Sequence, residues 1–156
     1  MTKVLLILHV LAAVLAVGPV AVAASMFPAA LRTAPRAEDT GATLRVMHRI
    51  CRVYAGVGLA VPVFGFATAS SLGVLGSAWL IVSIALTAAA AAVLIVGILP
   101  GQEVALAAAE EPGPGTDADA RGAAAGRLAM VTGVFNLLWA TVTILMIVRP
   151  GSTTGG

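Results

Sequence analysis

Residues 78–99 read AWLIVSIALTAAAAAVLIVGIL, 22 consecutive positions without an Asp, Glu, Lys or Arg. A helix needs roughly 20 apolar residues to cross the hydrocarbon core of a bilayer, where every backbone N–H and C=O has to be satisfied within the segment. Three further stretches, 4–27, 53–72 and 128–148, meet the same requirement. Together the four hold 87 of the 156 residues and none of the 16 charged ones. The remaining 69 positions are then 23% charged, the density of an ordinary protein surface. The chain-wide figures, 60% hydrophobic, 10% charged and a mean hydropathy of +1.03, therefore describe two environments and not one diluted domain. A transmembrane barrel is excluded, because its strands alternate apolar and polar residues over about ten positions.

The sequence predicts an all-α membrane protein, a four-transmembrane-helix bundle. Residues 1–156 form a single integral membrane domain, with spans 4–27, 53–72, 78–99 and 128–148 and connecting loops 28–52 and 100–127. Positive residues near span ends are retained in the cytoplasm. Lys3 and Arg149 fall on one side, and Arg32, Arg36, Arg45, Arg49, Arg52, Arg121 and Arg127 on the other. Loops 28–52 and 100–127 are accordingly expected to be cytoplasmic and both termini outside (N-out/C-out), for a multi-pass protein of a bacterial cytoplasmic membrane. Lys3 and Ala21-Val22-Ala23 also suggest a cleavable signal. The apolar run continues to Phe27, longer than a usual signal core of about 7–15 residues, and is read as a span.

Local signals refine this layout. Gly18-Pro19 predicts a kink inside the first span, and Pro28 with Pro35 is expected to keep the start of loop 28–52 out of regular helix. Asp39 or Thr40 is the expected cap of a second helix beginning near Gly41. Gly56, Gly58, Pro62 and Gly65 give that helix a small-residue face that a neighbour could approach closely. Pro100-Gly101 opens, and Pro112-Gly113-Pro114-Gly115 interrupts, a loop with five acids that reads as a solvated flexible linker. No His or Cys accompanies those acids, so no metal site is assigned. Cys51 is the single cysteine and forms no intrachain disulfide.

The uncharged spans remove several functions. A proton-coupled exporter of the four-helix small multidrug type needs an embedded carboxylate, and a voltage sensor needs intramembrane Arg. Neither occurs here. Nucleotide-binding and nucleophile motifs are also missing, no catalytic residue is assigned, and no basic patch with interleaved aromatics points to nucleic acid. His9 is the one ionisable residue within a span, which makes it the candidate site residue. Two roles are open to it: an interhelical hydrogen bond, with Thr143 or Ser83 at matching depth, or ligation of a metal such as haem iron. Arg45, Arg49 and Arg52 form a stripe on the second helix with His48 beside it. That group is expected to meet anionic lipid headgroups at the cytoplasmic face, or alternatively to hold the carboxylates of a porphyrin or other anionic ligand. Asn136 reads as a hydrogen-bonding tie between helices.

Leu8-His9-Val10 with Ala12-Ala13, Gly18 and Phe27-Pro28, followed by Leu44-Arg45-Val46-Met47-His48-Arg49 and the glycines of the second helix, resembles a group of small bacterial membrane proteins. That group includes the CopD copper-resistance domain and the HemJ-type protoporphyrinogen oxidases. The resemblance covers about residues 5–70; the later helices match only as hydrophobic spans. It implies His9 as an axial ligand of haem b and Arg45 or Arg49 as the basic residues at the start of the second helix. Three functions follow as expectations: a structural or accessory membrane subunit packing against itself or a larger complex, a b-type haem protein handling electrons or porphyrin, or transport of a small solute or copper. For copper, Met26, Met47, Met130 and Met146 are scattered in depth and do not form a paired soft-ligand array.

Overall fold

The computed structural model describes residues 1–33, 40–110 and 118–151. It consists of α1 (Thr2–Thr33), α2 (Thr40–Val57), α3 (Ala60–Leu72), α4 (Ala78–Ala92), a π-helical segment Val93–Ile98, α5 (Leu99–Glu110) and α6 (Ala118–Val148), with no strand among the described residues. The helices stack end to end into four rods of 31 to 33 residues, each long and apolar enough to cross a membrane. Neighbouring rods run antiparallel. α1 packs against α2, α3 and α6, and the third rod packs against α6 and, through α5, against α2. The four-helix membrane bundle expected from the four apolar runs is the architecture found.

At 1.5 Å per residue each rod is about 46–50 Å long, well beyond a hydrocarbon core of about 30 Å. The excess lies at the end of the bundle that carries most of the arginines, termed here the basic end. Phe27 and Leu31 of α1, Leu44 of α2, Ala105 of α5 and Ala125 and Leu128 of α6 form a buried cluster there. Two expectations are corrected by this. Pro28 does not end the first helix, which continues to Thr33, and Pro100-Gly101 does not open a loop, because helix continues to Glu110. Residues 118–127 are also helical. The second helix begins at Thr40, one residue before the expected Gly41; Asp39, Pro35 and the Pro112 to Gly115 run lie outside the described residues.

A proline in mid-helix removes one N–H and crowds the carbonyl four residues earlier. Pro62, Pro100 and Pro28 are each accommodated differently. At Pro62 the rod breaks between α2 and α3, and the Gly58 carbonyl accepts from the Val61 N–H instead (3.1 Å). Before Pro100 the helix widens into the π-helical segment, in which the Leu99 N–H reaches back five residues to the Leu94 carbonyl. At Pro28 the carbonyl left without its partner belongs to Ala24, and the Thr132 hydroxyl of α6 donates to it across the helix interface (3.5 Å). Both residues are buried.

Small residues set the spacing between rods. A Cβ on Gly97 would lie 2.9 Å from Val131 Cγ1, and one on Gly101 2.8 Å from Leu128 Cδ2, so this glycine pair is what lets the third rod approach α6. At the opposite end Trp79 packs with Ala69, Leu80 and Met146, and the Arg149 guanidinium stands 5.7 Å from the Trp79 ring centroid.

The pairing of Thr132 with a proline-vacated carbonyl gives a directional prediction. Thr132→Val should destabilise the protein by about 0.6 kcal/mol, the mean measured for hydrogen bonds between membrane helices. In a Pro28→Ala background, where the Ala24 carbonyl regains its helical donor, the same substitution should cost clearly less. A double-mutant cycle of unfolding in detergent reads the difference; equal costs in the two backgrounds would refute the assignment.

Candidate functional site

His9 sits on α1 facing the broken second rod. Its Nδ1 lies 2.9 Å from the Val61 carbonyl oxygen, so Nδ1–H donates and the carbonyl accepts. The ring lies against Gly65, where an added Cβ would come 2.8 Å from Cε1 and 3.0 Å from Nδ1. Gly65 is therefore the socket for the imidazole, and its lack of a side chain is used for close approach. This pairing leaves Nε2 as the ring's acceptor nitrogen, without a hydrogen-bond partner among the described residues. The expected partners are not used: Ser83 donates to the Trp79 carbonyl and Thr143 to the Trp139 carbonyl, each within its own helix. The two hydroxyls are satisfied locally, as is common for Ser and Thr within helices.

At the basic end the structure assembles a second polar group. His48 is 8% exposed, and Gln102 and Cys51 are fully buried. His48 Nδ1–H donates to Gln102 Oε1 (3.2 Å), and Gln102 Nε2 reaches Cys51 Sγ at 3.6 Å. His48 Nε2 stands 3.6 Å from Glu103 Oε1, and Arg45 is hydrogen-bonded to Glu110 at 2.6 Å on the exposed side. His48 thus faces the interior and not lipid headgroups, a correction to the expectation drawn from its neighbouring arginines. The four contacts clasp α2 to α5. Arg49 and Arg52 point outward on α2 with no partner among the described residues.

The two groups are separated along the bundle. His9 lies 18 residues from Phe27, about 27 Å along the helix, and Phe27 shares the basic-end cluster with Leu44 and Met47. Arg45 and Arg49 are therefore not brought to His9. Gln102 could not be read from sequence, because it falls in a stretch whose Pro-Gly opening suggested a loop. Asn136 does bond across helices, its Nδ2 donating to Ser25 Oγ (3.2 Å). No cluster of three or more metal-ligating side chains occurs among the described residues.

Among the surface cavities, two adjoin the rods named above. One of about 800 Å³ lies between α1 and α2, with Gly18, Val22 and Met26 facing Ala42 and Val46. The other, of about 440 Å³, lies between the third rod and α6 near the basic end. His9 lines neither.

These features belong to an integral membrane protein. Over residues 3–150 the chain matches the family described as predicted integral membrane protein (DUF2269), and it belongs to that family. The family match does not extend to the CopD or HemJ types. No curated protein and no solved structure matches the chain.

The clasp predicts a thiol phenotype. Gln102→Ala should cost about 1–3 kcal/mol, because it leaves buried His48 without its acceptor, and should make Cys51 reactive to a maleimide that the native protein excludes. Arg45→Gln, which removes a partly exposed pair, should cost less than about 1 kcal/mol and leave Cys51 closed. Thiol labelling with thermal unfolding separates the two.

Proposed function

We propose that the protein is a small structural or accessory membrane subunit, assembling with copies of itself or with a larger membrane complex. The observation that supports this reading is the close packing of the rods through small residues. Ala16, Ala23, Ala24, Ala90 and Ala125 close the contacts between rods, and buried His48, Gln102, Ser83 and Thr132 are engaged with one another or with backbone, while the Trp139 indole N–H is buried without a partner among the described residues. Neither cavity crosses the bundle. The outward surface is apolar, with Val96 and Ile147 each 76% exposed. It also carries Gly122, Gly126 and Gly133, where an added Cβ would meet nothing within 4 Å. Such a surface packs well against lipid or a further helix. At the basic end, cytoplasmic in the orientation read from charge, Arg45 and Arg49 contact anionic headgroups.

A second reading has one observation in its favour. The His9 Nδ1–H bond to a backbone carbonyl is the arrangement that fixes the tautomer of a metal-ligating histidine. His9 would then be the axial ligand of haem b, and the bound haem would supply one-electron redox chemistry. The fit is partial: one donor is oriented, and neither cavity includes it.

One purification distinguishes the readings. Protein extracted in mild detergent from haem-replete cells should be colourless and, in native mass spectrometry after cross-linking in the membrane, appear as an oligomer or with a stoichiometric partner. A strict monomer would overturn the subunit reading. A Soret band that disappears in His9→Ala would establish the haem reading in its place.

A further inference from the structure

The groove of about 440 Å³ between the third rod and α6 is graded along its length. Its deep part, toward the middle of the bundle, is lined by Val96, Gly97 and Val131, and Val131 packed on Gly97 forms its apolar floor. Toward the basic end the walls become Ala108 and Ala120, and two arginines, Arg121 and Arg127, line the same groove. Both walls run in register with depth. From Val131 to Arg121 is ten residues of α6, or about 15 Å. Apolar lining at depth and guanidinium groups toward the mouth match an amphiphile with an anionic head.

We propose that this groove holds one anionic phospholipid of the leaflet at the basic end, its acyl chain along Gly97 and Val131 and its phosphate at Arg127 and Arg121. Arg127 is exposed and has no partner among the described residues. Its Cα–Cβ bond leans toward the N-terminus of α6, which lies at the basic end, so the guanidinium is carried toward the interface while the stem stays on apolar surface. A guanidinium offers a phosphate two parallel N–H donors, a match that a zwitterionic head weakens through its own ammonium. A second protein helix in the groove would bury Arg127 without a counter-charge, an arrangement that costs free energy. The lipid satisfies both parts of the groove at once.

The test uses the full-length protein, stripped of lipid in mild detergent and titrated with phosphatidylglycerol or phosphatidylcholine under native mass spectrometry. Wild type should retain a single phosphatidylglycerol at least about fivefold better than phosphatidylcholine, the factor that about 1 kcal/mol per membrane-surface cation supplies. Arg127→Gln should abolish that preference, and Arg127→Lys should keep part of it. Ala108→Leu, which fills the groove, should lower retention of both lipids. Arg32→Gln removes an exposed cation of α1 outside the groove and should leave the preference intact. Thermal unfolding of each variant confirms that it is folded. Equal retention of the two lipids by wild type, a preference surviving Arg127→Gln, an equal loss in Arg32→Gln, or a second copy of the chain displacing the lipid would each overturn the proposal.

Discussion

Everything in this bundle follows from the cost of an unpaired backbone group where no water can reach it. The constraint makes the spans helical, and it makes their interior prolines informative. A proline in a soluble helix can leave its vacated carbonyl to solvent. Here Ala24, Gly58 and the residues before Pro100 need answers within the protein, and the three answers differ: a hydroxyl from another helix, a tightened turn at a break, and a widened π turn. The Val61 carbonyl that holds His9 lies just after the break between α2 and α3, and the π segment carries Gly97, which with Gly101 closely approaches α6.

The same rods then outrun the membrane, and the chemistry holding them changes along their length. In the middle, alanines and glycines bring backbones together so that dispersion acts over short distances. Toward the basic end, Phe27, Leu31, Leu44 and Leu128 form a more conventional apolar core beside the His48, Gln102 and Cys51 clasp. Burial of His48 and Gln102 is eased because His48 Nδ1–H is spent on Gln102 and the Gln102 amide on Cys51.

Much of this was legible in the chain. Four uncharged runs of membrane length dictate four helices whatever their packing, and His9 stands out as the ionisable residue among them. What was not legible is where the helices end. Pro28 and Pro100 carry the local signal of termination, and tertiary contacts override it: Thr132 answers the carbonyl vacated at Pro28, and α5 is held against α2 by Gln102. The partner of His9 was hidden for a related reason. Sequence spacing pairs side chains with side chains of similar depth, whereas Val61 contributes a backbone oxygen and Gly65 contributes an absence of atoms. The clasp required knowing that residue 102 is helical and turned toward α2, which no local pattern states.

The continuation of the third rod beyond Pro100 carries the greatest weight, since the clasp, the basic-end core and the graded groove all depend on it. Hydrogen–deuterium exchange across residues 99–110 of the purified full-length protein tests it directly. Slow exchange of these amides, on the scale of those in 128–148, is the result predicted for a packed helix. Exchange as fast as that of an unstructured peptide would contradict it and return the stretch to a loop.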